Sequence, residues 1–291
     1  MTLIINKPKP AISHIDESIS LESSAQYDLY LELGFDAMTI CVVDVNTGFS
    51  SALVHYQFQK ISSLEALCDK TESIFATNDI FKINFRKVHC SIINQKSTLV
   101  PVPVFEKGKE ALLLGLNCSL DNDDLVLINR FKQMDAVNIF AIPIPIRKVI
   151  QSHFPLAEFH HYSTALIENT LLENKMGQEK NVVLNIHPSH FEILIISQKT
   201  LLFYNTFNYS SAEDVLYYLL FVFEQFNIST DTIKVKVTGE LDKHSSIYTL
   251  LYKYVRNINF GHRPASLKYC SKLESLPKHF YYSIYSLQLC V

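Results

Sequence analysis

The chain has 291 residues, 48% of them hydrophobic and 19% charged. This is the composition of a folded protein with enough chain for two packed cores, and it excludes a wholly disordered one. Lys plus Arg number 26 against 29 Asp plus Glu, a net charge of −3, so no strong field favours nucleic acid or an anionic membrane surface.

In chain order, residues 1–26 alternate polar and isolated apolar residues without a period and read as an arm or tail; Leu3-Ile4-Ile5 is its one apolar run, suited to an edge strand. Tyr27–Leu33, Met38–Val45 and Ser50–Gln59 are three strands with short connections, an antiparallel meander whose Asn46-Thr47-Gly48 turn supplies positive φ. Ser62 to Glu65 opens a helix as a capping box, with Ser62 as the cap. Lys87–Asn94 is the next strand. Thr98–Pro101 is extended, and Pro103 starts a helix through Leu114. Asp121-Asn122-Asp123-Asp124 lacks the Gly and the distal Glu of a calcium loop and reads as a solvated turn. Strands follow at Leu125–Arg130 and Val137–Ile142, then a helix from Ile146 to His153, an extended piece at Glu158–His161 and a helix from Ser163 to Asn174.

A second meander occupies Val182–His187, His190–Ser197 and Leu201–Asn208, with tight connections at Pro188-Ser189 and Gln198-Lys199. A helix capped by Ser210 or Ser211 follows. It is apolar nearly all round and should be deeply buried. Ile233–Thr238 is a strand, His244–Val255 a helix and Asn257–Phe260 a short strand. Ser283–Val291 is apolar with no period that selects helix or strand.

The order strand, strand, strand, helix, strand, helix thus occurs twice, which is the ribonuclease H-like unit. The expected units are residues 27–160 and 181–291, joined by a helix and linker at 161–180 and preceded by the 1–26 arm. Local wording adds to this topology: Thr98-Leu99-Val100-Pro101 with Phe105, Asp135 to Pro143, Phe154-Pro155-Leu156-Ala157 with His161, and Leu202 to Phe207 continued by Tyr209, Glu213-Asp214 and Tyr217-Tyr218. These stretches resemble successive signatures of an uncharacterised bacterial family, a domain of unknown function with an actin-like ATPase fold. The resemblance covers roughly residues 27–260. It implies a mixed-sheet α/β fold of two ribonuclease H-like units and brings no activity with it.

Actin-like ATPases hold a nucleotide between the units, with phosphates on each unit's first hairpin. On this chain the matching positions are Glu32 and Gly34 in the first hairpin, Asn185 and His187 in the second, and Gly239 and Glu240 where an adenosine loop would lie. Glu32 can still serve a metal, but Phe35 crowds the first turn. The second turn has no Gly, and Pro188 removes an amide donor. The phosphate loops are therefore degenerate. The expectation is a non-catalytic actin-like binding or scaffold protein with no cofactor. The alternative is a divergent ATPase or kinase-like enzyme that binds ATP with Mg in the inter-unit cleft.

Other chemistry is sparse. His187 and His190 flank a turn, which would let both rings meet one metal, but the sequence offers no third ligand, and His160-His161 is the other close pair, so no metal is expected. No Gly-x-Ser-x-Gly elbow is present. Tyr204, Phe207, Tyr209, Tyr217 and Tyr218 read as core. The six Cys (41, 68, 90, 118, 270 and 290) form no Cys-x-x-Cys pair and read as small buried hydrophobes of a reducing compartment. No signal peptide or membrane-length apolar run is seen, which points to the cytoplasm. The expected partner is another protein, with a homodimer through edge strands as a further arrangement, and neither nucleic acid nor membrane insertion.

Overall fold

The computed structural model describes residues 8–17, 19, 26–59, 61–174 and 179–291. The Leu3–Ile5 run lies outside them. The chain divides into two compact units, Met1–Thr164 with Leu267–Ser275 and Val291, and Ala165–Ser266 with Leu276–Cys290.

The first unit opens with β1 (Ile12–Ile15), an edge strand paired antiparallel to β4, where the sequence reading expected an arm. Four residues are too few to show a period. The meander then forms as expected from β2 (Tyr27–Leu33), β3 (Ala37–Asp44) and β4 (Phe49–Gln57). Its second turn is closed by Gly48 at φ 71° and by Asp44, whose Oδ1 accepts from the amides of Asn46 and Thr47. Helix α1 (Leu64–Thr77) is capped by Ser63 rather than Ser62, the Ser63 hydroxyl accepting from the Ala66 amide. β5 (Lys87–Ile92) then pairs parallel to β2.

A smaller sheet is inserted next. β6 (Ser97–Pro101), β7 (Asp124–Arg130) and β8 (Ala136–Pro143) pair antiparallel in the order β6-β8-β7. The helix expected after Pro103 does not run through. A single 3-10 turn spans Val102–Val104, Gly108 takes φ 90°, and only α2 (Glu110–Gly115) is α-helical. Asp121 and Asp124 are not merely solvated: both pair with Lys96, at 2.6 and 2.5 Å. One face of β8 (Val137, Ile139, Ala141) packs with Leu114 of α2. Its other face (Phe140, Ile142) joins the main core with α1 and α3 (Ile144–His153). β9 (Glu158–His161) completes the sheet parallel to β5, giving β1-β4-β3-β2-β5-β9.

Helix α4 (Tyr162–Glu173) leads out of the first unit. The second repeats the frame: β10 (Asn181–Ile186), β11 (His190–Ser197) and β12 (Thr200–Asn208) form the meander, with Gln198 and Lys199 both at positive φ in the turn. α5 (Ala212–Gln225) starts on a full capping box of Ser211 and Asp214. β13 (Lys234–Gly239) lies parallel to β10, α6 (Ser246–Tyr254) follows, and β14 (Asn257–Phe260) lies parallel to β13. The order β12-β11-β10-β13-β14 matches β4-β3-β2-β5-β9 strand for strand. Val182, Leu184, Ile193, Ile195, Val235 and Val237 face α5 and α6 in one core.

The segment after Gly261, unplaced from sequence, serves both units. β15 (Lys268–Tyr269) pairs parallel to β4 and is followed by the short α7 (Ser271–Glu274) in the first unit. α8 (Tyr282–Cys290) belongs to the second and packs on β13, with Tyr282 to Leu287 all buried. A helix buried on every side shows no amphipathic period, which is why the sequence pattern did not resolve it. Among the described residues, no helix is long and apolar enough to cross a membrane.

Candidate functional site

Strand register aligns the two units residue by residue. Leu33 faces Met38 and lies beside Ile92; Ile186 faces Phe191 and lies beside Gly239. Glu32 therefore occupies the position of Asn185, Thr39 that of Glu192, Ser91 that of Thr238, Gly34 that of His187 and Ala37 that of His190. These side chains sit on the sheet face opposite the main helix pair, because alternate strand residues point to opposite faces.

In the first unit the polar set is small. Glu32 is buried opposite Thr39, and the Thr39 hydroxyl shares a 3.0 Å hydrogen bond with Nδ1 of buried His55. The turn closes through the Gly34 amide, which donates to the Ala37 carbonyl. A Cβ on Gly34 would stand 3.0 Å from that of Ile93, and Phe35 at the tip is 42% exposed. Behind this turn is an apolar cavity of about 230 Å³, lined by Leu33, Phe35, Leu64, Ile93, Pro143 and Ile146, with Asn94, Lys96 and Asp121 at its polar side.

The second unit carries a denser network. His187 and His190 stack across the turn, ring centroids 4.5 Å apart and 11° from parallel. Both reach the fully buried Glu192: His187 Nε2 lies 3.5 Å from Oε2 and His190 Nε2 lies 3.3 Å from Oε1. Burial alone would push the Glu192 carboxyl up, but His187 and His190 together hold it well below the usual carboxylate range. Asn185 Nδ2 donates to Glu192 Oε2 at 2.9 Å and lies 2.9 Å from His187 Nε2. Thr238 Oγ1 donates to Asn185 Oδ1 at 3.0 Å, and Tyr209 donates its hydroxyl hydrogen to the His187 carbonyl at 2.6 Å.

Gly239 and Glu240 join the same end of this sheet. Gly239 takes φ 88°, and a Cβ on it would lie 2.2 Å from the Ile186 carbonyl oxygen, so no other residue fits. Its amide donates to the His279 carbonyl, the Glu240 amide to Ile186 and the His187 amide to His190. His279 in turn stacks on Phe260 at 4.0 Å and hydrogen-bonds the Leu241 carbonyl. Tyr281 is held protonated by burial and then by nearby Glu240.

Thus Asn185, His187, Gly239 and Glu240 are brought together at the ends of β10 and β13, and Glu32 and Gly34 meet at the end of β2. Glu192 is the group the sequence reading missed. Its signal was the spacing from His190, two residues along a strand and so on the same face. His160 and His161 are adjacent and therefore point to opposite faces of β9. His161 Nδ1 meets Ser163 Oγ at 2.6 Å, while burial, then the neighbouring His89 and Lys132, pull His160 down to about 4. Of the aromatic set, Phe207, Tyr209 and Tyr218 do pack on the core, whereas Tyr217 is 63% exposed.

Two three-strand meanders, each extended by two parallel strands and covered by helices, define an actin-like ATPase fold. The chain is similar to a protein of unknown function with that fold from Bacteroides thetaiotaomicron, at 21% identity over 94% of this chain and 99% of that one, with a TM-score of 0.79. It is also similar to a chain of the PilM–PilN type IV pilus biogenesis complex, at 13% identity over 90% and 98% of the two chains, with a TM-score of 0.60. The chain belongs to the protein family of unknown function DUF3822, whose model matches residues 16–258. No curated protein matches it.

Proposed function

We propose that the chain is a non-catalytic actin-like binding protein whose partner is another protein. The observation that carries this reading is the state of the second unit's turns. The amides of His187, Gly239 and Glu240 all donate to the chain's own carbonyls, and Pro188 has none to offer. A phosphate cradle needs such amides directed at the ligand. Beside them, the ionised Glu192 is the wrong charge for a polyphosphate, and its two imidazoles are committed to it.

The surface that fits a partner is the apolar cavity behind Gly34. Its volume, about 230 Å³, is below the roughly 300–1,000 Å³ of ordinary cofactor sites. It suits one or two anchoring side chains of a peptide, with Phe35 as an exposed wall. The occupant proposed is an extended segment of a partner protein carrying bulky apolar anchors. That a structural neighbour is a chain of a two-protein complex is in keeping with this.

The test is selection of a displayed peptide library on the full chain, with Phe35→Asp as the counter-target. Enrichment of peptides with paired apolar anchors that fail to bind Phe35→Asp supports the reading. No enrichment, or equal binding to the variant, removes the cavity from it.

A further inference from the structure

Among the described residues, two sets of three side chains bring metal-ligating atoms within 4.8 Å of one another: His187, His190 and Glu192, and separately His89, Glu158 and His160. The first set is internally satisfied. Asn185 Nδ2 already donates to Glu192 Oε2, and Thr238 Oγ1 donates to Asn185 Oδ1. An ion there would have to break that chain of hydrogen bonds.

The second set is built differently. His89 on β5 and Glu158 on β9 face each other directly in the parallel register, and His160 follows Glu158 by two residues, so all three point from one face of two adjacent strands. His89 Nδ1 lies 3.4 Å from His160 Nε2 and 3.4 Å from Glu158 Oε2. Nitrogen or oxygen ligands about 2.05 Å from a tetrahedral zinc are separated by about 3.4 Å along each tetrahedron edge. Around an octahedral ion at about 2.1 Å the same edge is only about 3.0 Å. The spacing is compatible with a tetrahedral ion, and the two imidazoles favour the softer one. The Tyr30 ring stacks on His89 at 5.2 Å and holds its plane, and Arg86 engages neighbouring Asp28 at both oxygens, at 2.9 and 2.5 Å. The His89 side chain is 3% exposed and that of Glu158 56%, so the site has a fixed floor and an open, adjustable rim.

We propose that His89, Glu158 and His160 form a zinc-binding site that clasps β9 to β5. The remaining edge, between Glu158 and His160, lies within 4.8 Å, and the Glu158 side chain is exposed. The three protein donors leave a fourth position for water or an external ligand. The site belongs wholly to the first unit and is independent of the proposed peptide cavity.

The test uses the full chain stripped of metal with a chelator, then titrated with zinc chloride against a chromophoric competitor and, separately, with cobalt(II) as a spectroscopic probe. The expected result is one zinc bound at micromolar or tighter affinity, with the intense visible bands of tetrahedral cobalt. Glu158→Gln and His160→Ala should each weaken zinc by more than ~10-fold while far-ultraviolet circular dichroism is unchanged. Glu158 is half exposed, so its variant keeps the reading testable if His160→Ala folds poorly. The proposal is overturned by no uptake at 100-fold higher zinc, by the weak spectrum of six-coordinate cobalt, or by full affinity in both variants. Affinity lost in His190→Ala instead would place the ion on the other histidine pair and equally overturn it.

Discussion

The two units share one backbone frame and fill it with different chemistry. Where the first unit has Glu32 on its first strand opposite Thr39, the second has Asn185 opposite Glu192: the buried carboxylate has moved one strand along. Where the first has Gly34 and Ala37 flanking its turn, the second has His187 and His190. Where the first has Ile92 beside the end of its first strand, the second has Gly239 at positive φ. Topology is carried by the alternating apolar face, which both units keep. The opposite face is free to exchange polar residues so long as each buried group finds a partner.

The comparison breaks most severely at Gly239. Gly239→Ala puts a Cβ against the Ile186 carbonyl in a left-handed conformation and should destabilise by at least ~3 kcal/mol, or abolish soluble expression. Gly34→Ala meets the Ile93 Cβ at 3.0 Å and its carbonyl oxygen at 3.4 Å and should cost about 1 kcal/mol. Denaturant melts of the two variants would measure the contrast.

Next in size is the Glu192 network. Glu192→Gln keeps the shape but removes the buried carboxylate that faces both imidazoles and accepts from Asn185, an expected loss of about 3 kcal/mol at neutral pH. The sign with pH follows from the depressed folded-state pKa. The carboxylate contributes stability above its unfolded value, about 4.3, and that contribution is lost as pH falls below this toward the folded value. Melts from pH 7 to 3 should therefore show the wild type and Glu192→Gln converging at the acid end. A gap that stays constant would mean that the charge of Glu192 is not what stabilises the fold.

Smallest is the contrast in helix starts. Ser211 and Asp214 cap α5 reciprocally, whereas Ser63 caps α1 with one bond. Ser211→Ala should cost about 1–2 kcal/mol and Ser63→Ala about 0.5–1. Equal losses in chemical denaturation would show that the Asp214 half of the box adds nothing.

Much of this frame was legible in the sequence. The β-branched runs of β3, β10 and β11 could be little else than covered strands, and the helix-start serines marked α5 and, to within one residue, α1. What the pattern hid was short or unperiodic. β1 and β15 have four and two residues, too few to alternate, and α8 is apolar on every side. The candidate positions were legible as turn residues, because glycine and proline mark turns one residue at a time. Their network was not: Glu192 lies in an apolar run, and only pairing with Asn185 across the hairpin gives it meaning. The His89–Glu158–His160 triple depends on the parallel register of two strands separated by the whole inserted sheet, a spacing no local motif contains.

The central proposal is that this actin-like frame does not hold a nucleotide. Calorimetric titration of the full chain with ATP and ADP, each with magnesium, tests it most directly, paired with a thermal melt at millimolar ligand. The account predicts no saturable heat and no rise in melting temperature, since a ligand raises stability only by binding the folded state. A saturable rise that disappears in Glu32→Ala would contradict it and make the first hairpin a working phosphate site.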